Sequence, residues 1–87
     1  MLFKHKRCEA EIICNILSLA QRGAKKTHLM YKTNMSYNLF ISYFDFLLEK
    51  NLLERKISNP SGATSYKITE KGQKMLENLK NALDQVK

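Results

Sequence analysis

The sequence is poor in the features that mark membrane proteins and disulfide-linked proteins. Among its 87 residues, no apolar run approaches the ~18 residues of a membrane span. Residues 1–7 also lack the apolar stretch and small-residue cleavage site of a signal peptide. The two cysteines, Cys8 and Cys14, would lie about 240° apart on one helix, which is too divergent for a disulfide between them. We therefore expect a cytoplasmic protein with reduced thiols and no membrane association.

Residue groupings typical of catalysis or cofactor binding are missing as well. With only three glycines, the chain has no glycine-rich phosphate loop. No Ser/His/Asp or Cys/His pairing follows from residue spacing, and the two cysteines and two histidines match no paired-ligand pattern for zinc. We expect no enzyme activity, no metal, no cofactor and no small-molecule substrate.

Acidic residues are scarce, and the charge is unevenly distributed. The chain has 15 Lys and Arg residues against 8 Asp and Glu residues, a formal charge of +7 and a pI of about 9.6. Residues 1–32 carry +5, residues 33–54 carry −2 and residues 55–87 carry +4. This balance points first to nucleic acid as a partner and second to an anionic membrane surface. A basic arm, either a solvated terminus or a phosphate contact, is formed by Lys4, His5, Lys6 and Arg7.

Apolar spacing predicts three consecutive helices, over residues 8–22, 28–33 and 36–50. Gly23 is suited to end the first helix, and Thr27 is placed to cap the second. The polar break at residues 33–35 is short, as in a helix-turn-helix, where the second helix of the pair crosses the first steeply. The residues predicted to be buried in the first two helices are Ile12, Ile13, Ile16, Leu17, Ala20, Leu29 and Met30.

The third helix combines a polar first turn with a broad apolar face. Asn34 and Ser36 are both placed to accept hydrogen bonds from free N–H groups of the first turn. Ser36, Tyr37 and Asn38 offer donors and acceptors suited to a base edge or a phosphate. The residues predicted to be buried are Leu39, Tyr43, Phe44, Leu47 and Leu48.

The third helix also has more apolar residues than one buried face can hold. Phe40, Ile41 and Phe46 cannot all point inward together with the predicted face, so we expect some exposed apolar surface. Such a surface would suit a protein contact or an effector pocket. Tyr43, Phe44 and Phe46 are interpreted as core residues rather than as a platform for stacking bases.

A β-hairpin follows the third helix. Leu53 and Ile57 share one strand face, and Tyr66 and Ile68 share another at strand spacing. Between them, residues 58–63 contain the chain's only proline and a glycine, which favour a turn. The residues predicted on the opposite face are Lys56, Ser58, Ser65 and Lys67.

The last helix is predicted over residues 70–86, with Thr69 as its cap. Leu76, Leu79, Leu83 and Val86 are spaced as a short heptad seam, widened by Met75 and Ala82. The seam fits either a dimer contact or a lid packed on its own domain. We expect one domain over residues 1–87, with a winged-helix core at residues 8–68 and a dimerisation helix at residues 69–87.

Several short segments, in this order, carry a resemblance to a known family. They are Gly23-Ala24-Lys25-Lys26-Thr27, Met30-Tyr31, Met35-Ser36-Tyr37, residues 47–53, and Tyr66-Lys67-Ile68-Thr69-Glu70-Lys71-Gly72. Over about residues 6–80 the chain resembles the archaeal winged-helix predicted transcriptional regulators, a group that includes small basic dimeric chromatin proteins with a C-terminal coiled coil. The resemblance implies a winged helix-turn-helix fold, mainly α with a small β-hairpin (α+β), DNA binding and a two-fold dimer through the last helix.

Our functional hypothesis is a winged-helix protein that binds double-stranded DNA as a homodimer, as a regulator or an architectural protein. The rival hypothesis is a protein-interaction module that uses the apolar surface of the third helix. The predicted dimerisation residues are Met75, Leu76, Leu79, Ala82, Leu83 and Val86. The predicted DNA contacts are Lys25, Lys26, Lys32, Ser36, Tyr37, Asn38, Ser42, Lys56, Asn59, Ser61 and Lys67.

Overall fold

The computed structural model describes residues 9–86, with four helices and a two-stranded antiparallel sheet in this part of the chain. The predicted class, mainly α with one β-hairpin, is confirmed. Residues 1–8, which include the basic arm and the predicted start of the first helix, lie outside the described residues. The elements are α1 (Glu9–Leu19), α2 (Lys26–Thr33), α3 (Tyr37–Glu49), β1 (Leu53–Ile57), β2 (Thr64–Ile68) and α4 (Glu70–Val86).

The link between α1 and α2 runs beside β2 and pairs with it. The Ala24 and Tyr66 backbones exchange two hydrogen bonds, at 2.9 Å and 2.8 Å, and the Ile68 N–H donates to the Ala20 carbonyl at 3.0 Å. Gly23, at φ +91°, provides the left-handed residue that lets the chain leave α1 in this direction. The link therefore acts as a one-residue third strand that fixes the start of α2.

Helix α2 begins earlier than predicted. Lys25 occupies its N-cap position without a side-chain cap hydrogen bond, and Thr27 lies inside the helix. The predicted Thr27 cap is wrong because the Ala24 pairing with β2, a long-range contact, sets the start of the helix. Asn34, at φ +54°, ends α2.

Ser36 caps α3, as predicted. Its side chain accepts a hydrogen bond from the Leu39 N–H at 3.4 Å, whereas Asn34 serves as the last residue of the preceding turn. The α2–α3 connection therefore consists of residues 34–36, and the first turn of α3 starts directly after a polar cap. This is the short connection that a helix-turn-helix requires.

The buried face of α3 is centred on Phe40, Phe44 and Leu47. The prediction that Leu39 is buried is wrong, since 45% of its surface is exposed while Phe40 is fully buried. The Phe40 and Phe44 rings stack at 5.3 Å, and Tyr66 packs edge-on against Phe44 at 4.7 Å. These aromatic contacts favour the rotation of α3 that brings both phenylalanines inward.

The hairpin residues lie on the predicted faces of the sheet. Leu53 pairs with Ile68, Arg55 with Tyr66 and Ile57 with Thr64, so these pairs share one sheet face. Only the base of this face reaches the core. Leu53 and Ile68 are buried, but 62% of Ile57 is exposed because the hairpin extends beyond the helices. We call β1, β2 and residues 58–63 between them the wing.

Helix α4 is held at its start by the predicted cap. The Thr69 hydroxyl accepts from the Gly72 N–H at 2.9 Å and donates to the Asn51 carbonyl at 2.6 Å. α4 packs mainly on α1, and Leu76 is fully buried. Within residues 9–86, no helix is long and apolar enough to cross a membrane. The buried apolar residues are Ile12, Cys14, Ile16, Leu17, Ala20, Leu29, Phe40, Phe44, Leu47, Leu52, Leu53, Ile68 and Leu76.

Candidate nucleic-acid interface

The first turn of α3 is exposed, as a surface for base contacts requires. Tyr37 is 59% exposed, and Asn38 is also exposed. The Ser42 hydroxyl donates to the Asn38 backbone carbonyl at 3.1 Å, and Ser36 is engaged as the cap. The side chains of Tyr37 and Asn38 are therefore the ones best placed to contact a ligand.

One stripe of α3 faces outward along the length of the helix, and its charge changes halfway. Asn38, Ser42, Asp45 and Glu49 are spaced by four, three and four residues and are all exposed. The first half is polar and uncharged, whereas the second half carries two carboxylates. Phosphates approaching the second half would be repelled. The arrangement would restrict any duplex contact to the beginning of α3.

The predicted basic residues of α2 differ in their surroundings. Lys25 and Lys32 are exposed. Lys26 is half-buried, and its ammonium lies 5.4 Å from the centroid of the Phe44 ring. At this distance the cation interacts with the ring face, so Lys26 also supports the packing of α2 on α3.

The wing exposes its four predicted contacts, Lys56, Asn59, Ser61 and Lys67. Their charge is partly compensated within the wing. Lys56 Nζ lies 3.5 Å from a Glu54 carboxylate oxygen, and Glu54 is the cross-strand partner of Lys67. This exposed ion pair contributes less than about 1 kcal/mol, so a phosphate can replace it.

Two exposed residues near this surface were not among the predicted DNA contacts. Tyr31 is 81% exposed in the last turn of α2, beside Lys32. Arg55 is exposed on the sheet face of Tyr66, the face that packs against α3. The burial of Leu29 and Thr33 predicts that Tyr31 faces outward. Arg55 was not predicted as a contact because Leu53 and Ile57, on the same strand face, indicated a buried face.

An apolar strip lies on one edge of α3. Leu39, Tyr43 and Phe46 recur at helical spacing, with Leu39 45% exposed, Phe46 38% exposed and Tyr43 half-buried. The interpretation of Phe46 as a core residue is therefore wrong. Phe40 is buried and Ile41 is half-buried, so the rival protein-interaction surface retains only Phe46 of the three residues singled out for it.

The predicted dimerisation residues fall into different environments on α4. Leu76 is fully buried against the chain's own core and has no surface left for a partner, so its assignment to the dimer contact is wrong. Met75, Leu79 and Leu83 are half-buried, and Ala82 is exposed. The Val86 side chain lies outside the described part of the chain. Within residues 9–85, no group of three His, Cys, Asp or Glu side chains is arranged to hold a metal ion.

The sequence comparisons agree with this architecture. The family described as "Winged helix-turn-helix" matches residues 6–87. An uncharacterized protein of Methanocaldococcus jannaschii is 29% identical over 77 residues, which cover 87% of this chain and 73% of that protein.

Solved structures with the same fold include Sso10a-2, a DNA-binding protein from Sulfolobus solfataricus. It superposes with a TM-score of 0.75 at 25% identity, over 90% of this chain and 80% of that chain. The PcaV transcriptional regulator from Streptomyces coelicolor, in complex with its natural ligand, has a TM-score of 0.70 at 14% identity, over 94% of this chain and 58% of that chain. At 14% identity the likeness shows the fold alone. The resemblance to archaeal winged-helix proteins is confirmed, and the chain belongs to the winged helix-turn-helix family.

Proposed function

We propose that the protein binds double-stranded DNA as a homodimer and acts as a transcriptional regulator or a small architectural protein of chromatin. The observation that carries the proposal is the exposed, uncharged polar first turn of α3, presented by a helix-turn-helix. Membership of the family and the description of Sso10a-2 as a DNA-binding protein support it. A DNA partner also supports a cytoplasmic location.

Most of the affinity is expected to come from phosphate neutralisation. Lys25 and Lys32 on α2, and Lys56 and Lys67 on the wing, are exposed on the two elements that flank α3. Helix α3 itself contains no Lys or Arg. Binding should therefore weaken steeply as salt rises and discriminate only modestly among sequences, with Asn38 as the residue able to pair with an adenine edge.

For the homodimer, the structure favours a seam rotated from the predicted one. Because Leu76 is buried, the outward apolar positions become Met75, Leu79 and Ala82, which are spaced by four and three residues as in a coiled-coil contact. We define these three residues as the outer seam. A partner helix packed on it would cover apolar surface that one chain leaves open.

Fluorescence anisotropy of a labelled random-sequence duplex tests the proposal. The protein is titrated at several salt concentrations between about 50 and 200 mM. We expect saturable binding and a log–log slope that corresponds to several phosphate contacts. Absence of saturable binding at the lowest salt would contradict general DNA binding.

The rival function, a protein-interaction module, draws on the apolar strip of Leu39, Tyr43 and Phe46. It would replace the DNA proposal if the duplex titration failed. Replacing Phe46 by Ser separates the two functions, because Phe46 belongs to the apolar strip but lies outside residues 36–42, which are predicted to contact the duplex. Under the DNA proposal this change leaves duplex affinity within about twofold, as surface substitutions usually do.

A further inference from the structure

An open groove of about 540 Å³ lies between the C-terminal end of α3 and α4. Its apolar lining comes from Phe46, Leu52, Met75 and Leu79. Leu52 is buried beneath it, while Phe46 is 38% exposed and the other two are half-buried. The volume lies within the range of roughly 300–1,000 Å³ that small-molecule sites occupy in proteins.

The charged lining of this groove has one sign. Lys50, Lys71 and Lys74 line it, and no acidic residue does. Lys71 Nζ donates to the Lys50 carbonyl at 3.0 Å, which holds its ammonium at the C-terminal end of α3. Lys50 and Lys74 are exposed, and within residues 9–85 their ammonium groups form no ion pair.

We propose that this groove binds an anionic amphiphile, a carboxylate carried on an aliphatic or aromatic body. Phe46, Met75 and Leu79 would contact the body, and Lys50 and Lys74 would pair with the carboxylate. The combination of an apolar floor and cationic rim matches this class of ligand in both shape and charge. Duplex DNA does not suit the groove, because its floor would desolvate phosphates without offering hydrogen bonds.

A second copy of the chain can pack on the outer seam, but it is a poorer occupant of the rest of the groove, at Phe46, Lys50 and Leu52. In a two-fold interface the same patch meets itself, so the lysine rim of one copy would face the lysine rim of the other. Like charges brought together in this way destabilise the contact. The outer seam shares Met75 and Leu79 with the groove, so a bound ligand would lie at the edge of the proposed dimer contact.

The test is an NMR titration of the ¹⁵N-labelled full chain, without DNA, with octanoate, octan-1-ol and octylammonium. These probes share a comparable apolar body and differ in charge. We expect octanoate to bind at least about fivefold more tightly than octylammonium, which corresponds to roughly one well-placed charge pair. Shifted amides should cluster at residues 46–52 and 71–79. Equal binding of the anion and the cation, or no saturable binding of octanoate, would overturn the proposal.

Variants identify the groove as the site. The double substitution Lys50→Ala and Lys74→Ala should weaken octanoate binding at least about fivefold. Lys80→Ala is the matched control, because Lys80 is an exposed lysine on α4 outside the groove lining, and it should change the affinity less than about twofold. Equal effects of Lys80→Ala and the double change would overturn the assignment. Since no DNA is present, the result is independent of the proposed DNA binding.

Discussion

At the scale of single residues, Gly72 is the clearest case of a position fixed by packing. A Cβ atom there would lie 2.2 Å from the Leu52 carbonyl oxygen and 2.8 Å from Ile68 Cγ1. We expect Gly72→Ala to lower the free energy of unfolding by about 1–3 kcal/mol, the usual cost of overpacking. Chemical denaturation monitored by circular dichroism measures the change.

The matched control for Gly72→Ala is Asn81→Ala, an exposed position on the same helix. Alanine has the higher helix propensity, so this variant should be as stable as the parent or more stable by about 0.5 kcal/mol. Stability of Gly72→Ala at or above that of the parent would contradict the close approach of α4 to the α3–β1 link.

The second prediction for a single residue concerns base readout by Asn38. Asn38→Ala should reduce preference among DNA sequences, by about 1–3 kcal/mol at the base pair that the amide contacts. Competition anisotropy with a selected site and a scrambled duplex measures the difference. Asn81→Ala is the control, because it removes an exposed amide from α4, away from the first turn of α3. An equal loss on all duplexes would argue against base readout by Asn38.

The helix caps show how far a single residue predicts the start of a helix from sequence alone. Ser36 and Thr69 were predicted as caps, and both accept hydrogen bonds from the first turn that follows them. Thr27 was also predicted as a cap, yet it lies within α2. Local sequence identifies a hydroxyl able to cap. It does not reveal that Ala24 pairs with Tyr66, more than forty residues away, and thereby starts the helix earlier.

At the scale of elements, α2 and the wing should act on DNA differently from α4. The double change Lys32→Ala and Lys67→Ala should weaken binding to every duplex and reduce the magnitude of the salt slope by about 2, or about one per phosphate contact. Anisotropy over the same salt series measures both quantities.

The control for those lysines is the pair Lys74→Ala and Lys80→Ala, which removes the same charge from α4. If binding depends on local contacts, this control should change the slope by much less. Equal slopes for the two double variants would mean that net charge, rather than α2 and the wing, determines the affinity.

The rotation of α3 about its axis shows that sequence periodicity alone does not determine which face of a helix is buried. Leu39, Phe40 and Ile41 are all apolar, and adjacent residues lie about 100° apart on a helix, so periodicity alone leaves the buried face undetermined. The outcome depends on Phe44 and Tyr66, since their ring contact comes from a distant strand. The faces of the hairpin residues were predictable, because Leu53 and Ile57, and likewise Tyr66 and Ile68, are an even number of residues apart.

Helix α4 carries the prediction about dimerisation. Ala82→Glu should place a charge in the outer seam and convert the dimer into a monomer of 10.1 kDa. Sedimentation equilibrium measures the mass. Asn81→Glu, which adds the same charge at a neighbouring exposed position about 100° away around the helix, should remain dimeric. A parent protein that sediments as a monomer would contradict the dimer proposal.

At the scale of the whole molecule, the elongated shape agrees with a C-terminal helix, α4, that extends beyond the chain's own core. The radius of gyration is 13.4 Å and the longest dimension is 49 Å. A compact chain of this length has a radius of gyration of about 12 Å. The last turns of α4 are largely exposed, which favours a partner surface there rather than a lid over the chain's own core.

The positions of the basic residues and the acidic half of the α3 stripe together predict which surface of the protein contacts the duplex. The duplex should contact the beginning of α3, the outward side of α2 and the wing, while the groove beside α4 remains free. This distribution could not be derived from net charge alone, because net charge does not show that Asp45 and Glu49 share the outward stripe with Asn38 and Ser42.

The most direct test is an NMR titration of the ¹⁵N-labelled protein with an unlabelled duplex of random sequence at low salt. We predict that shifted amides cluster at residues 31–32, 36–42 and 55–67, with little change at residues 74–80. Shifts centred on the α4 groove or on the apolar strip of α3 would contradict it, as would an unchanged spectrum at saturating duplex.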